Sequence, residues 1–342
     1  MRVALIGPVP PRLGGATPGG VATHQVYLAE GLAAAGIDAP LLATNATVRA
    51  RSAPLDVYAA GAGWTGLPHL VPYALALAAE RRAGSRREVL RNLLWYRRFL
   101  ADVRPDVIHV QHPLERCQYA RMVQRLEGWR TPLLVTAHSL FGEHPDHVIH
   151  TLMAPNLRAA DHVIAVSDHI ADQVAQLGVS RDRISVIRSG IDTQRFQPRD
   201  RSAARRSLGI SDDTPLLLFV GNLEPRKRVD ALLRAMPRVR ERVPSARLLV
   251  VGSGKSAGAA DQTASLLQLT ADLDLQQAVR FVGTVDDRQL LDCYEAADVF
   301  ALPSSSEAQG IVALEAMACG LPVVATAVGG LLGTIRDGEP AS

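Results

Sequence analysis

Two glutamates that stand eight residues apart, late in the chain, are the residues best suited to bind a ligand. Glu307 follows an apolar segment predicted to be a strand, and Glu315 lies inside an apolar segment predicted to be a helix. Gly310 lets the backbone approach a ligand where that helix begins, and the N–H groups and dipole there favour a phosphate. A carboxylate among apolar residues is costly unless it has a partner such as ligand hydroxyls. The alternative is a helix whose polar face happens to carry Glu315, with Glu307 as a loop carboxylate.

Two adjacent cations, Arg226 and Lys227, follow another predicted strand, which ends at Gly221. Cations at the carboxyl edge of a parallel sheet can neutralise a diphosphate. Of the 37 basic residues only Lys227 and Lys255 are lysines, so the retention of a lysine at this position indicates a function. The alternative is a basic turn exposed to solvent.

Two weaker signals lie in the first half of the chain. Gly19 and Gly20 follow a loop rich in Gly and Pro and come directly before a predicted helix, as in a backbone anion site. His138 stands at the carboxyl end of the predicted strand Pro132–Ala137, where its ring can hydrogen-bond a ligand. The alternatives are a plain connecting loop and a histidine with a structural hydrogen bond.

Several other chemistries lack their motifs. The glycine-rich stretch Val251–Gly258 has Leu249 where a Walker A loop needs Gly, and Ala257 where a dinucleotide fingerprint needs its third Gly. The histidines of the chain lack the HExxH or carboxylate pattern of a metal site. We interpret the histidine run as polar residues of loops and helix faces: His138, His144, His147 and His150, with His109 and His112 nearby.

Composition excludes several classes of protein. Apolar residues make up 47% of the 342 residues and charged residues 21%, which is typical of globular proteins. No apolar run approaches the roughly 20 residues of a membrane-spanning helix. The net charge of +3 predicts no polyanionic partner, so no nucleic acid is expected. The three distant cysteines fit a reducing cytoplasm, and the first seven residues predict a buried strand rather than a signal peptide.

The elements that must position these residues alternate along the chain in the pattern of βαβ units and parallel sheets. A polar, Arg-rich stretch at Asp192–Thr214 separates two such series, so we predict two doubly wound α/β domains, residues 1–196 and 197–342. The segment Ala46–Ser85 is ambiguous. Strands are predicted at Arg2–Gly7, Pro40–Thr44, Asp106–Val110, Pro132–Ala137, His162–Val166, Ile184–Ile187, Leu216–Val220, Leu248–Gly252, Val279–Val282, Val299–Leu302 and Pro322–Ala325. Helices are predicted at Val21–Ala35, Arg86–Val103, Glu115–Leu126, Asp146–Ala159, Asp168–Leu177, Val229–Val243, Ala260–Leu273, Asp287–Ala296 and Val312–Cys319.

Taken in order, these motifs resemble one family, the retaining, nucleotide-sugar-dependent glycosyltransferases of family 4 with the GT-B fold. The spacing from Glu307 to Glu315 matches the family's E-x7-E element. The resemblance covers nearly the whole chain and implies two Rossmann-like domains that face a central cleft. Other segments similar to the family are Ala160–Ser167, Val186–Asp192, Ala297–Ser304 and Ala316–Thr326.

The resemblance implies a role for each motif residue in holding a nucleotide-sugar donor. Glu307 would hold hydroxyls of the donor sugar, Glu315 would hold the ribose, and His138 would hydrogen-bond the sugar near the reacting carbon. Glu307 and His138 are therefore the candidate catalytic residues. The remaining residues would bind the diphosphate and the adjoining sugar with side-chain cations or backbone groups: Gly19, Gly20, Arg226, Lys227, Gln309, Gly310, Ile311 and Val312.

The function implied is transfer of a sugar from a UDP- or GDP-linked donor, with retention at the anomeric carbon, in cell-envelope glycan biosynthesis. The acceptor is left open among lipids, glycans and small molecules. Family members need no bound metal or other cofactor for this transfer. Two alternatives are a non-catalytic protein that binds sugar nucleotides and a sugar-nucleotide epimerase on a similar scaffold.

The sequence departs from the family pattern in three places. Asn222 stands where the family often has Arg, so Arg226 is expected to compensate for the absent cation. Gln309 replaces a common Phe and is expected to alter packing around the sugar. The family's chains continue past a point like Pro340, so the second domain is expected to be incomplete at its end.

One further segment, Arg81–Arg104, has the features of a basic amphipathic helix. From Glu80 to Arg104 there are eight Arg and three acidic residues, interleaved with Leu, Trp, Tyr and Phe. Such a helix can lie on an anionic membrane, which would place a cytoplasmic protein at the inner face of the plasma membrane. The alternative is a solvated helix that packs its apolar stripe on its own domain.

Overall fold

The chain forms two compact units, Met1–Arg188 (unit 1) and Ser189–Ser342 (unit 2). The predicted boundary after residue 196 lies a short distance further along. The computed structural model describes residues 1–10, 13, 20–44, 50–52, 55–59, 86–113, 116–141, 144, 146–254 and 262–338.

Unit 1 contains an eight-stranded sheet in the order β3-β4-β2-β1-β5-β6-β7-β8. Neighbouring strands run parallel except β3, which lies antiparallel to β4 at one edge. The order reverses between β1 and β5, and ligands bind at the carboxyl ends of strands at such a point. The strands are β1 (Val3–Gly7), β2 (Leu41–Ala43), β3 (Ala50–Ser52), β4 (Leu55–Ala59), β5 (Val107–Val110), β6 (Leu133–Ala137), β7 (His162–Ala165) and β8 (Ile184–Val186).

The helices of unit 1 agree with prediction except near Pro155. The stretch predicted as one helix, Asp146–Ala159, is interrupted by a π-helical turn at Ile149–Met153. Pro155 has no amide hydrogen to continue the α-helical ladder, which explains a change of hydrogen-bond register beside it. The helices are α1 (Gly20–Ala34), α2 (Arg86–Val103), α3 (Arg116–Glu127), α4 (Asp146–Val148), α5 (Ala154–Ala159) and α6 (Asp168–Gln176).

Helix α2 packs its apolar stripe inside unit 1. The ring of Phe99 lies 5.1 Å from that of Tyr58, and the ring of Tyr96 lies 5.7 Å from that of Tyr119. The apolar face is therefore covered by protein. None of the helices in the described part of the chain has the length and apolar character needed to cross a membrane. The buried residues of the stripe are Leu93, Tyr96, Phe99, Leu100 and Val103.

Unit 2 contains a five-stranded, fully parallel sheet in the order β11-β10-β9-β12-β13, which reverses between β9 and β12. The prediction of parallel-sheet α/β architecture is confirmed in both units. The strands are β9 (Leu216–Val220), β10 (Arg247–Val251), β11 (Val279–Gly283), β12 (Val299–Leu302) and β13 (Val323–Ala325). The helices are α7 (Arg201–Leu208), α8 (Val229–Arg242), α9 (Thr263–Asp272), α10 (Asp287–Ala296), α11 (Ile311–Ala318) and α12 (Leu331–Thr334).

A fully buried arginine of unit 2, Arg205 in α7, hydrogen-bonds the loop before β9 and the end of α10. The Arg205 guanidinium donates to the Ala296 carbonyl at 2.9 Å and to the Asp298 carboxylate at 2.8 Å. Asp298 in turn accepts the backbone N–H of Leu216, where β9 begins. A buried cation is stable only when its donors are matched in this way. Three further carbonyls complete the set, those of Ser211, Asp212 and Thr214.

We predict that Arg205→Met lowers the free energy of unfolding of unit 2 by about 3–5 kcal/mol, because it leaves four carbonyls without their donor. It also removes the buried cation from Asp298, which keeps the Leu216 N–H and Arg201 as partners. The measurement is urea unfolding followed by circular dichroism. The matched control is Arg206→Met, which changes the exposed neighbour on the same helix. Equal stability of the two variants would contradict the role given to Arg205.

Candidate functional site

Two loops of unit 2 meet at the point where its strand order reverses. One follows β9 and contains a 3₁₀ turn at Pro225–Lys227, and the other follows β12 and contains Glu307. The backbone N–H of Ser305 donates to the carbonyl of Arg226 at 2.7 Å, which joins the loops directly. The structure therefore brings three of the predicted site residues together: Arg226, Lys227 and Glu307.

The charges of these three residues form one cluster. The Lys227 ammonium donates to Glu307 Oε1, and the hydroxyl of Ser304 donates to the same oxygen at 2.9 Å. The Arg226 guanidinium lies 4.0 Å from the other carboxylate oxygen. Lys227 and Glu307 are only 8% and 6% exposed. An ion pair this well buried holds its partners in place, since removing either one leaves an uncompensated charge.

Glu224 is a buried acidic residue of this site that the sequence patterns did not single out. Its carboxylate accepts the Arg226 Nε–H at 2.9 Å and the Asn222 amide at 3.2 Å. Asn222 thus binds the residue that orients Arg226, in the position where the family often has a cation. The only sequence signal for Glu224 is a glutamate that stands two residues before an arginine, and that spacing is common.

The start of α11 is shaped by Gly310. This residue has φ of +85°, in the left-handed region, and a Cβ there would collide with the side chain of Leu331. Only glycine fits both conditions. The helix begins at Ile311, so the N–H groups of Ile311 and Val312 lie in its first turn, where helix geometry provides no carbonyl partners.

The side chain of Gln309, which stands where the family often has Phe, binds protein backbone. Its side-chain amide bonds the backbone of Ser189, accepting the N–H at 2.9 Å and donating to the carbonyl at 2.7 Å. Both residues are buried. The side chain of Gln309 is thus occupied by protein, and its backbone is the part that remains suited to a ligand.

Glu315 has a dedicated partner in Tyr294, a second residue that the sequence patterns missed. The Tyr294 hydroxyl donates to Glu315 Oε2 at 2.8 Å. Burial raises the pKa of Glu315 to about 7, although the Tyr294 hydrogen bond and the nearby charge of Arg195 act in the opposite direction. Burial also raises the pKa of Tyr294 well above its usual value, so this hydroxyl stays protonated and donates.

In unit 1, Gly20 begins α1, and Gly19 lies outside the described residues. His138 follows β6, buried, with its Nε2 3.2 Å from Oε1 of Gln111. The Gln111 amide nitrogen lies 3.4 Å from His109 Nε2, which is 2.7 Å from the Thr136 hydroxyl. Because an amide oxygen only accepts, this arrangement assigns the proton of His138 to Nε2 and leaves Nδ1 as an acceptor.

The groups around His138 are uncharged. Burial lowers the pKa of His138 well below its usual value and lowers those of His24 and His109 to about 4. The ring of His24 lies 4.6 Å from that of His138. His109 lies in the predicted strand β5, and His112 and His138 lie in the loops that follow β5 and β6, as predicted; all three side chains are buried. Among the described residues no group of His, Cys, Asp or Glu is placed to hold a metal ion.

Comparison with known proteins gives two family matches. The model described as "Glycosyltransferase Family 4" matches residues 18–195, and the model described as "Glycosyl transferases group 1" matches residues 200–341. Among curated relatives, D-inositol 3-phosphate glycosyltransferase 2 of Catenulispora acidiphila is 39% identical over 228 residues, covering 62% of this chain and 53% of the relative. The D-inositol 3-phosphate glycosyltransferase of Nocardia farcinica is 39% identical over 225 residues, covering 62% and 50%. The chain thus spans about half the length of the curated relatives it matches.

Solved structures with a similar fold include two that cover nearly the whole chain. Sucrose-phosphate synthase from Thermosynechococcus elongatus has a TM-score of 0.75 at 26% identity and covers 98% of this chain and 83% of its own. Anabaena HepE in complex with UDP-glucose has a TM-score of 0.72 at 21% identity and also covers 98% and 83%. The second likeness establishes the fold alone.

We predict that Glu315→Gln stabilises unit 2 relative to the unchanged protein, and increasingly so as pH rises from about 4.5 to 7. The native carboxyl binds its proton more tightly than the unfolded one in this range, so the unchanged protein loses stability as pH rises. A pKa raised from 4.5 to about 7 corresponds to a loss on the order of 3 kcal/mol. The measurement is urea unfolding at several pH values.

The matched control for this prediction is Glu241→Gln, which changes an exposed glutamate on α8. Its free energy of unfolding is measured over the same pH range, to separate the loss of an exposed carboxylate from the loss of this buried one. A constant difference between Glu315→Gln and the unchanged protein would show that the Glu315 carboxyl ionises normally.

Proposed function

The chain belongs to glycosyltransferase family 4, and on that basis we propose that it transfers a sugar from a nucleoside diphosphate sugar, UDP- or GDP-linked, to an acceptor. The observation that carries this proposal is the meeting of Arg226, Lys227 and Glu307 at the carboxyl ends of β9 and β12. It sets two cations suited to a diphosphate beside a carboxylate suited to sugar hydroxyls. The two cations together with the E-x7-E pair disfavour the alternative of a sugar-nucleotide epimerase.

The barrier to such a transfer lies in separating a sugar cation from a diphosphate that gains negative charge. The bond from the anomeric carbon to the diphosphate oxygen breaks with its electron pair on the diphosphate. The acceptor oxygen then bonds that carbon, and its proton passes to the departing diphosphate. Arg226, Lys227 and the N–H groups of Ile311 and Val312 would stabilise the departing charge, an effect that supplies several kcal/mol in enzymes. Retention at the anomeric carbon is proposed from family membership.

The two glutamates would recognise hydroxyls of the donor. The Glu307 carboxylate, fixed by Lys227 and Ser304, has one oxygen bound by both partners and its other oxygen 4.0 Å from Arg226. Hydroxyls of the donor sugar are expected at that second oxygen. Glu315 would accept hydroxyls of the ribose, and ionisation of its carboxyl strengthens such bonds. Donor affinity is therefore expected to increase as pH rises through about 7.

His138 would accept a hydrogen bond from a sugar hydroxyl, because its assigned tautomer leaves Nδ1 without a proton. A neutral imidazole at this position does not protonate a leaving group, so the histidine would orient the substrate. The surrounding uncharged side chains of Gln111, His109 and His24 favour a hydroxylated ligand in unit 1. We therefore propose an acceptor rich in hydroxyls, and no metal or other cofactor is proposed for the transfer.

The proposal is tested with a panel of UDP-, GDP- and ADP-sugars, scored for binding, slow hydrolysis and transfer. Free inositol, D-inositol 3-phosphate and a lipid-linked sugar serve as acceptors, the second because of the names of the curated relatives. Binding with hydrolysis or transfer supports the proposal. Binding of a nucleoside diphosphate with no turnover of any donor would favour a non-catalytic binding protein. Failure of every donor to bind would refute both.

We also propose that any contact between Arg81–Arg104 and a membrane is electrostatic. The apolar stripe of α2 is buried in unit 1, so it is not available to insert into a bilayer. Among the described arginines of this segment, Arg97 pairs with Glu127 at 2.7 Å and Arg98 lies 3.9 Å from Asp102. Contact with an anionic membrane would therefore be made by charge alone.

We predict that Lys227→Met weakens binding of the preferred nucleoside diphosphate sugar by about 10- to 100-fold, since a hydrogen bond to a charged group contributes about 1.5–3 kcal/mol. The measurement is titration calorimetry. Because this variant leaves Glu307 buried without its partner, Lys227→Met combined with Glu307→Gln is measured beside it. Arg228→Met is the control, since Arg228 lies in the same turn, exposed and paired with Asp230 at 3.2 Å. Unchanged affinity in the Lys227 variants would remove this residue from the site.

We predict that any sedimentation with vesicles containing anionic lipid is lost at about 1 M salt, where the Debye length falls to about 3 Å. Vesicles of zwitterionic lipid alone are the control and should bind nothing. Binding that persists at high salt would mean that an apolar face inserts, contrary to the packing of α2. Absence of binding to anionic vesicles at low salt would remove the membrane contact altogether.

A further inference from the structure

The side chain of Gln309 links the loop of Glu307 to the first residue of unit 2. Its amide accepts the N–H of Ser189 at 2.9 Å and donates to the carbonyl of the same residue at 2.7 Å. Gln309 and Ser189 are each 4% exposed, and 120 residues separate them along the chain. The amide thus pairs with one residue's backbone in both directions, as a neighbouring strand would.

These two hydrogen bonds satisfy the backbone N–H and carbonyl of Ser189, which an apolar side chain could not do. A buried backbone N–H or carbonyl that loses its partner is strongly unfavourable. A phenylalanine or leucine at position 309 could fill the space, but it would leave both polar groups of Ser189 without these bonds. The glutamine is therefore a specific solution for this backbone.

The backbone of the same loop is anchored from another direction. The hydroxyl of Thr334 donates to the Gln309 carbonyl at 2.8 Å, and the N–H of Gly330 donates to the Glu307 carbonyl at 2.8 Å. A Cβ on Gly330 would collide with the backbone of Ala308 and Gln309, so the two segments are in close contact. These contacts hold the loop through its backbone, and the Gln309 side chain attaches it separately to Ser189.

We propose that Gln309 is a positioning residue, whose amide, by binding the backbone of Ser189, sets the Glu307 carboxylate and the first turn of α11 for a nucleoside diphosphate sugar. Glu307 lies two residues before Gln309, and the helix begins two residues after it. A change of the 309 side chain therefore moves the sugar-binding and the phosphate-binding groups together. The part of this inference that concerns the donor rests on the proposed function.

The test uses two substitutions with opposite behaviour in pH. Gln309→Leu removes both bonds at nearly constant volume. Gln309→Glu also breaks the pair when ionised, because a carboxylate cannot donate to the Ser189 carbonyl. When protonated, however, the carboxyl group both donates and accepts, as the amide does. The Glu variant should therefore recover at low pH, and the Leu variant should not.

The first readout is hydrogen exchange of the Ser189 amide, expressed as a protection factor relative to the unchanged protein at each pH. We expect protection to fall at least about tenfold in Gln309→Leu at every pH. In Gln309→Glu it should fall similarly at pH 8 and return toward the unchanged value near pH 5. The control, Gln197→Leu, alters an exposed glutamine whose amide donates to the Gln194 carbonyl at 2.6 Å, and should leave Ser189 protected.

The second readout is donor binding by the same variants, with the donor identified in the panel described above. We expect the dissociation constant to rise about tenfold or more in Gln309→Leu, and to recover at low pH in Gln309→Glu relative to the unchanged protein. Loss of protection at Ser189 with unchanged donor affinity would overturn the positioning role. Unchanged protection in the Leu variant would overturn the link itself.

The two readouts separate this inference from the proposed function. If no nucleoside diphosphate sugar binds the unchanged protein, the proposed function fails, while hydrogen exchange still decides whether Gln309 holds Ser189. If Gln309→Leu does not fold, Gln309→Glu is compared with itself at pH 5 and pH 8. Equal protection of Ser189 at the two pH values, after correction by the unchanged protein, would then overturn the inference.

Discussion

The buried ion pair of Lys227 and Glu307 fixes the arrangement of two loops in unit 2. Burying either charge without its partner would be strongly unfavourable. The loops come from β9 and β12, which are neighbours although about 80 residues separate them along the chain. Separating the charges without replacing either would cost several kcal/mol. The sugar-binding and diphosphate-binding groups of the proposed site are thus held together before any ligand arrives.

Three further polar groups near this pair in unit 2 also have partners of their own. Tyr294 binds Glu315, Glu224 orients Arg226, and the Ser189 backbone binds Gln309. Such networks stabilise a site only when every member is satisfied, because an unpaired buried group is costly. A preorganised site of this kind needs little rearrangement when charge develops on a departing diphosphate.

The parallel sheets and the cations at their edge could be predicted because they follow from local pattern. Short apolar runs define strands, and the residues after parallel strands gather at one edge. The partners of the site residues could not be predicted in this way, since Tyr294 and Ser189 stand 21 and 120 residues from the groups they bind. The hydrogen-bonded link between His109 and His138 could not be predicted either. The amide of Gln111 that joins them carries no local signal.

The chain of hydrogen bonds from Thr136 through His109 and Gln111 to His138 has a direction. A half-turn of the Gln111 amide would exchange the positions of its oxygen and nitrogen. The proton of His138 would then lie on Nδ1, and His109 would carry its proton on Nε2. His138 would offer an N–H where it now offers a lone pair, with no change in net charge. In that flipped arrangement the same residues would present a donor in place of an acceptor, at equal charge. Substrates that differ only in donating or accepting at one position would be distinguished by the orientation of one amide.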